Sequence, residues 1–210
     1  TKRYEAMFIS DLHLHPNEPK ILKKFARFIN MAKQQTKAVY ILGDFIHAWP
    51  GDDAMDAWSM QLTDLLEQLA ASDVKCYFMP GNRDFLLKDD FAKVSKWQIL
   101  PDPYLCEFAD LRVLLSHGDR FCTKDLLHQI FMQLTRGKFF ARIFLLLPLR
   151  FRKRCVQGVR KYSVARHIRK NQDTMDVVEK KIIQDMLQYK TTVLIHGHTH
   201  KSCKDTIKTA

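Results

Sequence analysis

Five short runs rich in Val, Ile, Leu, Phe and Tyr punctuate the sequence, at residues 6–9, 38–42, 76–79, 111–115 and 191–195. Each is too short for a helix and too rich in β-formers to be a loop, so each reads as a buried strand. Residues 18–37 place Leu22, Phe25, Ala26, Phe28, Ile29 and Ala32 at helical spacing, and residues 55–71 do the same with Trp58, Leu62, Leu65, Leu66 and Leu69. Strand, helix, strand, helix, strand implies an α/β core with layered helices. The alternation breaks at residues 124–189, which are helical in texture, rich first in Phe and Leu and then in Lys and Arg. They read as a helical cap inserted into a core made of residues 1–123 and 190–210.

Every strand stops at a cluster of polar residues. Ser10-Asp11-Leu12-His13 follows the first, Gly43-Asp44 the second, Pro80-Gly81-Asn82-Arg83-Asp84 the third, Ser116-His117-Gly118-Asp119 the fourth and His196-Gly197-His198-Thr199-His200 the fifth. Ligands of α/β sheets gather outside the carboxyl ends of the strands. One Asp-x-His or one Gly-Asp pair would mean little, but five clusters in order bring Asp11, His13, Asp44, Asn82, His117, His198 and His200 toward one site.

These seven side chains offer oxygen and nitrogen donors and no thiolate, a set suited to Mn2+ or Fe2+, with Zn2+ or Co2+ also open. Seven exceed what one ion with free positions would use. Two ions account for the number, with Asp11, His13 and His200 on one, Asn82, His117 and His198 on the other, and Asp44 between them. Such a pair, about 3.5–4 Å apart, activates water and neutralises phosphate oxygens.

The charge is concentrated. Of 34 Lys and Arg residues, 12 fall within residues 136–170, which hold no Asp or Glu; elsewhere 22 basic residues face 23 acidic ones. A near-neutral body with one basic segment calls for an anionic partner. Five scattered cysteines, none spaced as Cys-x-x-Cys, suit a reducing compartment. Charged residues near the start argue against a signal peptide, and the longest apolar run, residues 143–149, falls well short of the roughly 20 residues needed to span a bilayer.

The motifs Asp11-x-His13, Gly43-Asp44, Gly81-Asn82-x-Asp84, His117-Gly118-Asp119 and Gly197-His198-Thr199-His200 resemble those of the calcineurin-like metallophosphoesterases. The resemblance implies a four-layer αββα sandwich and a di-metal centre with the ligand division given above. More narrowly, Tyr40-Ile41-Leu42-Gly43-Asp44-Phe45, Gly51-Asp52-Asp53 and Gly81-Asn82-Arg83-Asp84-Phe85-Leu86-Leu87 resemble the branch of that family acting on UDP-2,3-diacylglucosamine in lipid A biosynthesis. Many family members carry His after the Asn and use it as a general acid. Arg83 stands there in this chain and, with a pKa above about 12, can only clamp phosphate and stabilise charge.

The resemblance implies water attack at the α-phosphorus of the diphosphate, yielding UMP and 2,3-diacylglucosamine 1-phosphate. It also implies two Mn2+ ions, catalytic roles for Arg83, Asp44 and His198, and substrate contacts at Asn82, Arg83, Asp125, Ser163, His167, Lys170 and His198. His167 departs from the Asn frequent at that position. The apolar stripe Phe131, Leu134, Phe139, Phe140, Ile143, Phe144, Leu146, Leu147 and Leu149 is expected to line an acyl groove. Arg150 to Arg154 are expected to meet anionic lipid at the cytoplasmic face of a bacterial inner membrane, with the protein a peripheral monomer. Action on nucleic acid or nucleotides is the alternative, weakened by the few aromatics interleaved in the basic segment. The family fold adds strands after its last His motif, where this sequence gives ten residues after His200.

Overall fold

The computed structural model describes residues 3–108, 110–122, 137–169 and 178–200, with only the backbone described at 138 and 161–169. Two sheets form the centre. In the first, β1 (Met7–Ile9), β2 (Ala38–Leu42), β3 (Lys75–Met79) and β4 (Gln98–Ile99) run parallel in that order. In the second, β5 (Tyr104–Phe108) pairs antiparallel with β6 (Leu111–Ser116), which pairs parallel with β7 (Val193–His196).

β2 shows why these sheets stack. All five of its residues are buried, and successive side chains point to opposite faces. Val39 and Ile41 enter a core with Phe25, Ile29, Leu62, Leu66, Phe78 and Phe91. Ala38, Tyr40 and Leu42 enter a second core with Met79 of β3 and with Cys106, Val113 and Leu115 from the facing sheet. An aromatic ladder crosses that second core. Tyr40 stacks on Tyr77 at 4.6 Å and on Phe8 at 5.2 Å, and Phe108 of β5 meets Tyr40 edge-on at 5.9 Å.

The outer face of the first sheet is covered by α1 (Pro19–Gln35), α2 (Ala57–Ala70) and α3 (Asp89–Ser95). Pro19 opens α1, and its buried stripe is Phe25, Ile29 and Ala32. Asp56 and Ser59 cap α2 reciprocally. Beyond the second sheet, α6 (Glu179–Gln188) buries Ile182 and Asp185 and leads into β7. Asp185 lies 3.0 Å from both Arg120 and Lys181, which ties α6 to the short 3-10 turn Asp119–Phe121. Helix, sheet, sheet, helix is the αββα order.

α4 (Lys138–Leu146) and α5 (Leu149–Arg169) lie in the stretch that interrupts the alternation. Ala141, Phe144 and Leu145 pack on the first core, whereas Phe139 and Leu146 are 78% and 81% exposed. The apolar stripe is therefore divided between helix packing and an outward face; Phe131 and Leu134 lie outside the described residues. One expectation fails here. Arg150, Lys153 and Arg154 are exposed, but Arg152 is only 2% exposed and faces the protein, not lipid. β4, β5 and α3 were not expected from the sequence.

Candidate metal centre

The strand ends of both sheets converge on two groups of side chains. Asp11, His13 and His200 form one, and Asp44, His117 and His198 the other, with the potential ligand atoms of each group within 4.8 Å of one another. Asn82 joins the second group, its Oδ1 3.2 Å from His117 Nε2. Asp44 reaches toward both, with Oδ2 3.9 Å from His13 Nδ1 and Oδ1 3.7 Å from His117 Nε2. All seven side chains singled out in the sequence are thus brought together.

Backbone geometry sets these side chains at sharp corners. Asp11, His13, Asp44, His198 and His200 all have positive φ, between 48° and 72°, a left-handed conformation that costs a non-glycine residue energy and collects at functional sites. At Gly81 a Cβ would run into the carboxylate of Asp44, so only glycine lets β3's end approach β2's end this closely.

Neighbouring groups then fix which ligand atoms remain available. His117 Nδ1 lies 2.8 Å from the carbonyl of Leu42, which can only accept, so Nδ1 carries a proton and Nε2 is the ring atom turned to the other candidate ligands. Asp44 Oδ1 accepts from the Arg83 amide at 3.0 Å, and Asp11 Oδ2 accepts from the His198 amide at 2.8 Å. Asp11 Oδ1 and His13 Nδ1 are buried without a hydrogen-bond partner. His117 Nε2 lies 3.2 Å from Asn82 Oδ1 and 3.3 Å from His198 Nδ1. Two partnerless buried atoms within a close cluster of oxygen and nitrogen ligand atoms, with no thiolate, fit divalent cations.

The electrostatics point the same way. Burial alone would lower the His117 pKa, but the carboxylates of Asp44, Asp119 and Asp11 outweigh it and raise the value to about 9. His13 is pushed down to about 3 by burial, then by Arg83 and His200. Burial raises Asp44 against the pull of His117 and Arg83. Arg83 sits at the mouth, its Nε 3.3 Å from Asp44 Oδ2.

Asp84 was noticed in the sequence only as part of a motif. Its carboxylate is fully buried and accepts from the amides of Phe45 at 2.7 Å, Ile46 at 3.3 Å and Gly81 at 2.8 Å. It stitches the loop after β2 to the loop after β3; burial, then Asp44, raise its pKa to about 7. Of the expected substrate contacts, Asn82, Arg83 and His198 lie at the centre. Asp125 and Lys170 lie outside the described residues, as do the side chains of Ser163 and His167.

The fold and this pairing of ligand groups define a metallophosphoesterase, a class whose members use divalent metals. The calcineurin-like phosphoesterase family matches residues 5–202, and the chain belongs to that family. Its curated relatives include proteins named UDP-2,3-diacylglucosamine hydrolase. That of Haemophilus ducreyi is 42% identical over 194 residues, 92% of this chain and 83% of that one. That of Proteus mirabilis is 39% identical over 201 residues, 96% of this chain and 84% of that one. Among solved structures, the chain is similar to a nuclease of Pseudomonas putida at 21% identity and a TM-score of 0.39, over 53% of this chain and 52% of that one.

Proposed function

We propose that the protein hydrolyses the diphosphate of UDP-2,3-diacylglucosamine by water attack at the α-phosphorus, giving UMP and 2,3-diacylglucosamine 1-phosphate. The observation that carries this reading is Arg83, which places a guanidinium and not an acid at the mouth of the paired ligand groups. The name borne by the curated relatives, matched across 92–96% of the chain, supports the choice of substrate.

In this reading Asp11, His13 and His200 hold one divalent ion, Asn82, His117 and His198 the other, and Asp44 serves both; Mn2+ suits the mixed donors. Bound ions supply positive charge against the phosphate oxygens and acidify water into the neutral range. Arg83 grips phosphate oxygens and gains strength as charge builds in the transition state, without a proton to donate. The departing group is a phosphomonoester, stable as an anion, so protonation by an acid is dispensable. His198 and Asn82 border the same phosphate, and Asp125, Ser163, His167 and Lys170 complete the substrate contacts.

Residues 124–189 act as a cap over the core formed by residues 1–123 and 190–210. The outward Phe139, Leu146 and Phe151, beside exposed Arg150, Lys153 and Arg154, support contact with acyl chains and an anionic bilayer surface. Among the described residues no helix is long and apolar enough to cross a membrane. In this reading the protein attaches peripherally, as a monomer, to the cytoplasmic face of the inner membrane, with no nucleic-acid partner. The test is UMP release from UDP-2,3-diacylglucosamine by protein stripped of metal and reloaded with Mn2+. A folded, metal-loaded protein that releases none would refute the proposal.

A further inference from the structure

Among the described side chains of the basic stretch, that of Arg152 is buried in the protein. The Arg152 side chain is 3% exposed, and its guanidinium is spent on three separate pieces of backbone and side chain. Nε donates to the carbonyl of Leu147 at 2.8 Å, between α4 and α5. Nη1 donates to the carbonyl of Pro50 at 2.6 Å and to Asp53 Oδ1 at 2.9 Å, while Nη2 donates to Asp53 Oδ2. A planar fork meeting a carboxylate with two parallel bonds is the strong form of this interaction, one that a lysine cannot copy.

The receiving turn is shaped for that fork. Gly51 has φ 133°, and a Cβ there would come within 2.5 Å of Arg152 Nη1 and 2.7 Å of Leu145 Cδ2. The turn is also the far end of the segment that begins at Asp44. Phe45 and Ile46 donate to Asp84, and the Trp49 amide donates to the carbonyl of Arg83 at 3.2 Å. The Trp49 indole donates to Asp52 at 2.9 Å, and Asp52 accepts from the amides of Lys88, Asp90 and Phe91. One short segment therefore touches the candidate centre, the backbone of Arg83 and, through Pro50 and Asp53, helix α5.

We propose that Arg152 is a positioning residue, a latch that registers α4 and α5 against the loop carrying Asp44 and Arg83 so that the cap meets a substrate engaged at the metal centre. This rests on the cap and substrate assigned above. A latch of this kind matters in proportion to how far the substrate extends beyond its phosphate. A small soluble phosphodiester reaches only the centre, while an acylated UDP-sugar must touch the centre and the cap together.

The discriminating variant is Asp53→Asn, on the more exposed partner, backed by Arg152→Lys. Asp53→Asn is expected to raise KM for UDP-2,3-diacylglucosamine about tenfold or more, the loss of one charge-assisted bond, with kcat/KM on bis(p-nitrophenyl) phosphate kept within about twofold. Arg152→Lys is expected to repeat the split, and amide exchange should quicken in α4 and α5 but not in β1 to β3. Equal losses on both substrates, or no change on either, would overturn the latch. If the protein does not cleave the acylated UDP-sugar at all, the substrate reading fails, and the exchange pattern alone decides the latch: unchanged protection in α4 and α5 would refute it.

Discussion

The imidazole of His117 gives its Nδ1 proton to the carbonyl of Leu42, 75 positions earlier in the chain and 2.8 Å away. Leu42 closes β2 and Asp44 follows it, so one strand end both orients the histidine and supplies its neighbouring carboxylate. Metal-ligating histidines depend on such partners for tautomer and direction.

Graded metal loss should follow from this sharing. His200 belongs to one group only and its side chain is 55% exposed, so His200→Ala is expected to release about one of two bound ions, as for loss of one ligand from one site. Asp44→Asn should release both. Metal analysis after dialysis, with circular dichroism confirming the fold, checks this; equal stoichiometry in the two variants would contradict the division.

Removal of the guanidinium should cost rate without costing metal. Arg83→Ala is expected to lower kcat by about 10²–10³-fold, the scale of a lost transition-state donor, with ion content unchanged. Arg83→Lys should recover only part, because a point charge cannot reproduce the fork. Full activity in Arg83→Ala would remove the clamp from the mechanism.

The Asp84 carboxylate accepts three amide bonds, and an asparagine would turn an N–H donor toward at least one of those amides. Asp84→Asn is therefore expected to destabilise the fold by about 1–3 kcal/mol, the cost of an unsatisfied buried donor. Chemical denaturation of the metal-free protein measures it, and an unchanged midpoint would show that the stitch is dispensable.

Acid should undo the latch. The hydrogen bond from Arg152 holds the Asp53 carboxyl below its ordinary range, burial opposing and the Arg152 charge assisting. A depressed folded-state pKa gives stability that is present above the unfolded value, about 3.9, and is lost as pH falls through the folded value. Melting temperatures of the parent and Asp53→Asn should differ at neutral pH and converge at the acid end of that window. A gap that persists or widens in acid would assign the stability to something other than this charge.

The strand ends were legible because buried parallel strands are compact apolar runs that stop abruptly at polar residues, as at Leu42-Gly43-Asp44. β5 escaped notice because its residues are mostly half-buried and follow a Pro-rich segment, and β4 because it has two residues. The candidate ligand groups could be named from side-chain chemistry, but the contacts of Asp84 and Arg152 could not. An aspartate that accepts only backbone amides looks in sequence like any turn aspartate. Arg152 sits among exposed cations, and its partner Asp53 is 99 positions away, so charge counting alone places it at the surface.

The origin of the ligands also sets a schedule. Asp11 and His13 are synthesised before Asp44 and Asn82, His117 follows, and His198 comes 187 positions after Asp11, with His200 close behind. Each group of three needs a residue from the last motif, so a nascent chain has neither candidate site complete while residues 124–189 are being synthesised. In the proposed reading, loading is thereby deferred to a chain whose second sheet can dock on its first.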